Sequence, residues 1–224
     1  MRPAFYALAP GGWRDYVTLL HPPYTLWHLS YVVLGAALAP EVAAGRLGWT
    51  LAAFALAMGV AAHALDELRG RPLQTRIPEA VLWSLAAASL AGAVAIGVLA
   101  AAWWTPWLLA FVAFGAFVVP AYNLELFGGR FHNGLWFALA WGAFPALTGY
   151  FAQAETIRAE AVPAAAFAAL LSWAQRVLST PVRGVRRSGL EPPTLKDAPE
   201  AALRILAASS VNLAVALLVF RWSA

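Results

Sequence analysis

Long apolar stretches alternate with short polar segments along the whole chain. A helix that crosses a bilayer needs about 20 mostly apolar residues, and seven stretches meet or approach that length. They cover residues 24–40, 47–65, 80–102, 103–122, 134–152, 162–178 and 201–220. The third and fourth are separated at Thr105-Pro106, because Thr is a common N-cap and Pro a common first helical residue. The pattern predicts an all-α, polytopic membrane helical bundle of about seven transmembrane helices.

The pattern also predicts how the chain divides. Residues 1–224 form a single membrane domain, in which residues 24–220 make the bundle. Residues 1–23 form a cytoplasmic or interfacial segment, with Phe5, Tyr6 and Trp13 at the depth of the lipid headgroups. Residues 16–23 are an alternative extension of the first span through a proline kink.

Composition excludes most other classes of protein. Of all residues, 62% are hydrophobic and 12% are charged, and the mean hydropathy is +0.67. Soluble domains have about 25% charged residues, so this chain has too few to cover a surface in water. Cysteine is absent from the sequence, which excludes a disulfide scaffold and a thiolate metal site.

Basic residues are distributed unequally between the two sides that alternating spans define. Twelve fall on one side and three on the other. The twelve are Arg2, Arg14, Arg69, Arg71, Arg76, Arg130, Arg176, Arg183, Arg186, Arg187, Lys196 and Arg204; the three are Arg46, Arg158 and Arg221. The positive-inside rule therefore predicts an integral protein of the plasma (inner) membrane, with the N-terminus cytoplasmic and the C-terminus outside. Topology and membrane lipids account for the net charge of +4, and no nucleic-acid partner is expected.

A first polar cluster closes the second predicted span. His63 lies three residues before Asp66 and four before Glu67, so the three share one helix face. The basic residues that follow are Arg69, Arg71 and Arg76. Two carboxylates beside arginines can hold a metal ion next to an anion. The alternative is an interfacial cluster in which the carboxylates pair with Arg69 or Arg71.

A second polar cluster follows the sixth predicted span. It contains Gln175, Arg176, Ser179, Arg183, Arg186 and Arg187. Guanidinium groups bind phosphate oxygens bidentately, so this cluster is a candidate diphosphate site. The alternative is a set of topology-determining arginines in contact with anionic lipid. Asp197, Pro199 and Glu200 look like the start of the last helix.

A third polar segment lies between the fourth and fifth predicted spans. Tyr122, Arg130 and His132 are candidates for contact with a ligand. The alternative is a capped turn, in which Asn133 caps the fifth span.

Taken together, the sequence resembles the UbiA-type membrane prenyltransferases over roughly residues 17–220. The resemblance is carried by His21-Pro22-Pro23-Tyr24-Thr25-Leu26, Arg71-Pro72-Leu73, Tyr122 and the segment from Gly142 to Gly149. In that family, Asp-rich motifs follow the second and sixth spans. The two polar clusters of this chain stand at the same two places.

The chain also departs from the family pattern. The first motif is shortened to Asp66 and Glu67, with His63 near the place of the family's Asn. Gln175 and Ser179 stand where the second motif is expected, and two terminal helices are missing. The resemblance implies Mg²⁺ held by Asp66 and Glu67 as catalytic residues, with a weakened second metal site. It also implies that the diphosphate is bound by Arg69, Arg71, Arg76, Arg183, Arg186 and Arg187.

Two functional hypotheses remain open. The first is a prenyltransferase that joins an isoprenoid diphosphate to a lipophilic or aromatic acceptor, with His63, Tyr122, Arg130, His132, Gln175 and Ser179 as further cavity residues. The second is a non-catalytic membrane subunit that binds a lipid or quinone in the same bundle. A transporter fits less well, because no predicted span carries charge near its middle.

Overall fold

The computed structural model describes residues 2–188 and 196–223, and the side chains of residues 187 and 188 are outside that description. In the described ranges the chain forms helices, turns and loops without a strand, as the all-α class predicts. The helices are α1 Trp13–Leu19, α2 Pro22–Leu38, α3 Ala44–Leu68, α4 Glu79–Trp103, α5 Leu108–Asn123, α6 Gly134–Ala154, α7 Ala161–Ser188 and α8 Asp197–Ser223. A short 3₁₀ turn, Phe127–Gly129, lies between α5 and α6.

Five of these helices, namely α3, α4, α6, α7 and α8, are long and apolar enough to cross a bilayer. This is the architecture of a helical membrane bundle. The helices α2 and α5 have 17 and 16 residues, which at 1.5 Å per residue gives about 24–26 Å against a hydrocarbon core of about 30 Å. The prediction of seven spans therefore depends on these two shorter helices.

Several predicted boundaries lie close to the observed ones. The chain breaks between α4 and α5, where Thr105 and Pro106 predict a break, but α5 begins after a further turn, with Trp107 at its N-cap. The Leu108 amide bonds to the Thr105 carbonyl oxygen at 3.1 Å, so Thr105 belongs to that turn and the N-cap prediction for it is wrong. At α6, Asn133 Oδ1 accepts from the Trp136 amide at 3.0 Å, which confirms the predicted cap.

The interior of the bundle is built around a close crossing of α2 and α6. A Cβ atom added at Gly35 would lie 1.9 Å from the Ala146 carbonyl oxygen, and one added at Gly149 would lie 2.1 Å from that of Val32. The absence of side chains at both positions lets the two backbones touch, as small residues do in membrane bundles. On this pair, α8 packs along α2 and α7 packs along α6, while α4 packs on α3 and α5.

The loops gather at two ends. At the basic end, defined by residues 2–21, 69–78, 124–133 and the last turns of α7, Asp15 Oδ2 accepts from the Arg76 amide at 2.9 Å. At the opposite end, defined by residues 39–43, 104–107 and 155–160, Arg46 pairs with Glu155 at 2.7 Å. Both polar clusters of the sequence lie at the basic end.

Candidate functional site

An elongated apolar chamber lies between α3, α4, α5 and α6. Its empty space is about 830 Å³ when the part that is open to the surroundings is included. Its walls are almost entirely aliphatic and aromatic, with Thr50 and Thr148 as hydroxyl-bearing members. Irregular π-helical turns lie beside it in α3 (Ala55–Ala62) and α6 (Leu139–Ala143). Such turns are frequent at functional sites.

The chamber extends from the opposite end towards the basic end. Near the opposite end its walls include Trp49 and Trp104, and towards the basic end they include Met58, Val119 and Trp141. A chain of aromatic contacts continues from there. Trp141 packs on Tyr122 with ring centroids 4.5 Å apart.

Arg176 joins this aromatic chain to the polar groups of the basic end. Its Nη1 donates to the hydroxyl of Tyr122, and its guanidinium carbon lies 5.9 Å from the ring centroids of both Tyr122 and Phe137. A guanidinium group held against two rings is thus placed one aromatic layer beyond the chamber, and it can still bind an anion through its other N–H groups.

Three side chains from distant parts of the sequence meet at the basic end. The rings of His21 and His63 are stacked, with centroids 4.0 Å apart, and the hydroxyl of Tyr6 lies 2.6 Å from His21 Nδ1. His21 has a left-handed backbone, with φ of 45°, where α1 ends and α2 begins. Such a conformation in a non-glycine residue is often found at functional sites.

Burial keeps both groups of the Tyr6–His21 pair uncharged. Burial raises the pKa of Tyr6 well above its usual value of 10.0; Tyr24 and Asp66 raise it further, and Arg183 and Arg186 act in the other direction. Burial likewise lowers the pKa of His21 well below 6.5, and His63, His28 and Arg183 add to that effect. Asp66 of the first cluster and Arg183 of the second thus both influence the pKa of the same tyrosine.

Gln175 of the second cluster has its partner on α2. Its Oε1 lies 2.9 Å from Nε2 of His28, and both residues are buried. This contact joins α2 to α7 beneath the basic end.

Glu67 has a clear structural role. It is completely buried, Oε2 accepts from the Leu73 amide at 2.9 Å, and Oε1 accepts from the amide and hydroxyl of Thr75, each at 2.9 Å. Its carboxylate therefore organises the loop after α3 and forms no ion pair with Arg69 or Arg71. In the described part of the chain, no group of three or more His, Asp or Glu side chains that could hold a metal ion is found. The assignment of magnesium to Asp66 and Glu67 stays a prediction.

The three arginines of the first cluster have different contacts. Arg69 pairs with Glu125 at 3.1 Å on the surface. Arg71 Nη1 donates to the carbonyl oxygens of Thr75 and Ile77 at 3.2 and 2.6 Å, so it supports the same loop as Glu67. The side chain of Arg76 is exposed.

The arginines of the second cluster also differ in their exposure and contacts. Arg183 is exposed, whereas Arg186 is bound to Glu200 at 2.5 Å and to the carbonyl oxygen of Arg2. The side chain of Arg187 lies outside the described residues. Ser179 donates to the Arg176 carbonyl oxygen at 3.2 Å, which is a local helix contact.

In the third segment, His132 contacts Tyr122, whereas the side chain of Arg130 points to the surface. His132 Nδ1 contacts the Tyr122 carbonyl oxygen at 3.0 Å, and the two rings pack with centroids 4.5 Å apart. The side chain of Arg130 is exposed, and its carbonyl oxygen accepts from Asn133.

Sequence reasoning missed Tyr6, His21, His28 and Trp141 as site residues, whereas Arg176 was already a member of the second polar cluster. The four missed residues come together through the crossing of α2 with its neighbours and the folding back of the N-terminal segment.

Comparison of the chain with protein-family models, with curated proteins and with solved structures finds no match. The resemblance to the UbiA-type prenyltransferases therefore stays a prediction.

Proposed function

We propose that this protein binds an isoprenoid lipid within the membrane, with the apolar tail in the chamber and an anionic head at the basic end. One observation carries the proposal: the chamber leads to Trp141, which contacts Tyr122, which in turn is bound by Arg176. An apolar space with a guanidinium group one aromatic layer beyond its end matches a ligand with a hydrocarbon tail and a diphosphate head.

The proposal includes the seven-span, UbiA-like topology. In it α2 and α5 also cross the bilayer, the basic end is cytoplasmic and the C-terminus of α8 is outside. The positive-inside distribution of arginine supports this orientation, and so does the gathering of the residue 2–21, 69–78 and 124–133 segments at one end.

The tail site is tested by filling the chamber. Ala93 lines it, whereas Ala95 lies on the exposed side of the same helix, α4. Ala93→Phe should weaken binding of geranylgeranyl diphosphate by at least about tenfold, equal to ~1.4 kcal/mol, because about ten lost atomic contacts cost ~1–2 kcal/mol. Ala95→Phe is the matched control and should leave the affinity unchanged. Equal effects of the two variants would contradict the tail site.

The head site is tested at Arg176. Arg176→Gln should weaken geranylgeranyl diphosphate by about ten- to a hundredfold, since a hydrogen bond to a charged group contributes about 1.5–3 kcal/mol. Binding of uncharged geranylgeraniol should change little. Arg158→Gln, at the opposite end, is the control. A diphosphate that binds no better than the alcohol to the unaltered protein would refute the anionic head site.

Prenyl transfer is the second candidate, and the influence of both Asp66 and Arg183 on the pKa of Tyr6 favours it. In that reaction the allylic C–O bond breaks, the diphosphate leaves with the electron pair, and a lipophilic acceptor attacks the remaining cation and loses a proton. The basic residues would stabilise the departing diphosphate. Release of diphosphate that requires both acceptor and magnesium would identify a transferase; tight binding without release would identify the lipid- or quinone-binding subunit.

A further inference from the structure

We propose that the stacked His21–His63 pair at the basic end is a binding site for a hydroxyl group, supplied by an alcohol or phenol. The inference rests on the proposed binding of an isoprenoid lipid and adds a second polar contact, chemically different from the diphosphate contact at Arg176.

The ring hydrogen of His63 is on Nδ1. Its Nδ1 lies 3.1 Å from the Gly59 carbonyl oxygen, and a carbonyl oxygen can only accept. Nδ1 therefore carries the hydrogen, and in a neutral imidazole ring Nε2 then has a bare lone pair. His63 offers an acceptor.

The ring hydrogen of His21 is on Nε2. The hydroxyl of Tyr6, 2.6 Å from Nδ1, is a strong donor and imidazole nitrogen is a strong acceptor, so the phenol donates to Nδ1. The hydrogen of the His21 ring is then on Nε2. His21 Nε2 is a buried atom without a hydrogen-bond partner in the structure, and an unsatisfied buried donor is costly. His21 offers a donor that lacks an acceptor.

The two rings lie against each other, with centroids 4.0 Å apart and an angle of 16° between the planes. The proposed hydroxyl group contacts Nε2 of both rings. A hydroxyl group is the smallest group that accepts from one ring and donates to the other. Both rings are uncharged in this assignment, so the pair suits a neutral hydroxyl better than an anion.

The experiment uses the full-length protein in lipid nanodiscs and three probes: geranylgeraniol, its methyl ether, and an oxygen-free isoprenoid hydrocarbon of the same length. The alcohol can donate and accept, the ether can only accept, and the hydrocarbon can do neither. Affinities are measured by competition with a fluorescent isoprenoid.

Two asparagine variants remove one ring nitrogen each while keeping the structural contact. His63→Asn retains a donor for the Gly59 carbonyl oxygen and removes the Nε2 acceptor. His21→Asn retains an acceptor for Tyr6 and suits the left-handed backbone at this position, but it removes the Nε2 donor. Thermal unfolding of both variants verifies that they fold.

The expected results differ between the variants. His63→Asn should weaken the alcohol by about two- to tenfold and leave the ether unchanged, whereas His21→Asn should weaken both by that factor. Neither variant should affect the hydrocarbon. If either variant fails to fold, Tyr6→Phe replaces it; with no phenol to fix the tautomer, binding of the alcohol and of the ether should again weaken.

Two outcomes overturn the inference in distinguishable ways. If the unaltered protein binds all three probes equally and the variants change nothing, the hydroxyl site is wrong and the lipid-binding chamber stands. If the unaltered protein binds none of the probes and no geranylgeranyl diphosphate, the proposed function itself fails, and the hydroxyl site fails with it.

Discussion

Replacing Glu67 with Gln tests whether this carboxylate holds the loop after α3 or serves a metal ion. Both carboxylate oxygens accept from backbone amides, those of Leu73 and Thr75. In Glu67→Gln, one of these amides must face the side-chain NH₂ group, whichever way the side chain is turned. One bond to a charged group is lost, about 1.5–3 kcal/mol, and two donors are brought together.

We therefore expect Glu67→Gln to lower the free energy of unfolding by about 2–4 kcal/mol. The assay is thermal or denaturant unfolding of the purified protein in detergent without divalent cations. Glu125→Gln is the matched control, because Glu125 forms a surface ion pair with Arg69 and such pairs contribute about 0–1 kcal/mol. A magnesium ligand would behave differently, since removing its charge beside Asp66 would leave the metal-free protein as stable or more stable. That result would refute the loop-holding role.

Three further predictions follow from the fold. Cysteines introduced into this cysteine-free chain at Gln74 and Phe127 should react with a membrane-impermeant reagent from one side of the membrane, and those at Glu41 and Ile157 from the other; a mixed pattern would contradict the two-ended topology. Gly35→Ala should cost at least about 1–3 kcal/mol in unfolding free energy by overpacking against Ala146, whereas Gly45→Ala, in open space within α3, should be neutral or stabilising by up to about 1 kcal/mol. Arg186→Gln should destabilise the protein by about 1.5–3 kcal/mol, because it removes one charge-assisted bond to Glu200, which keeps its pair with Arg204 at 2.7 Å; unchanged stability with a loss of diphosphate affinity would instead indicate that Arg186 serves the ligand.

The helical layout could be predicted because a bilayer imposes a simple requirement on sequence. Apolar runs of the right length identify the long helices, and the break near Pro106 and the cap at Asn133 follow from local backbone chemistry. The helices α2 and α5 are shorter than the other predicted spans. Helix α2 begins only at Pro22, and α5 begins only after the turn at residues 105–107.

The candidate site was predictable only in part, because side chains that are close in sequence can have different contacts in the fold. Asp66 and Glu67 are adjacent in sequence, yet Glu67 is bonded to the loop that follows it, while Asp66 raises the pKa of Tyr6. Arg183 and Arg186 are three residues apart, yet Arg186 is bound to α8 and Arg183 is exposed. Spacing along a helix gives a common face, but the neighbour that each residue meets depends on tertiary packing.

The division between an apolar chamber and a polar end has a consequence for selectivity. A lipid that enters the chamber leaves a bilayer whose interior is equally apolar, so transfer from water does not drive its entry. The tail contributes only the difference in packing between chamber and bilayer, a small sum of contacts of ~0.1–0.2 kcal/mol each. In the proposed function, the head contributes charge-assisted hydrogen bonds of about 1.5–3 kcal/mol each, formed at the basic end around Arg176 and Arg183. Discrimination between isoprenoids should therefore depend steeply on the head group and weakly on chain length, until the tail exceeds the space between Trp141 and Trp49.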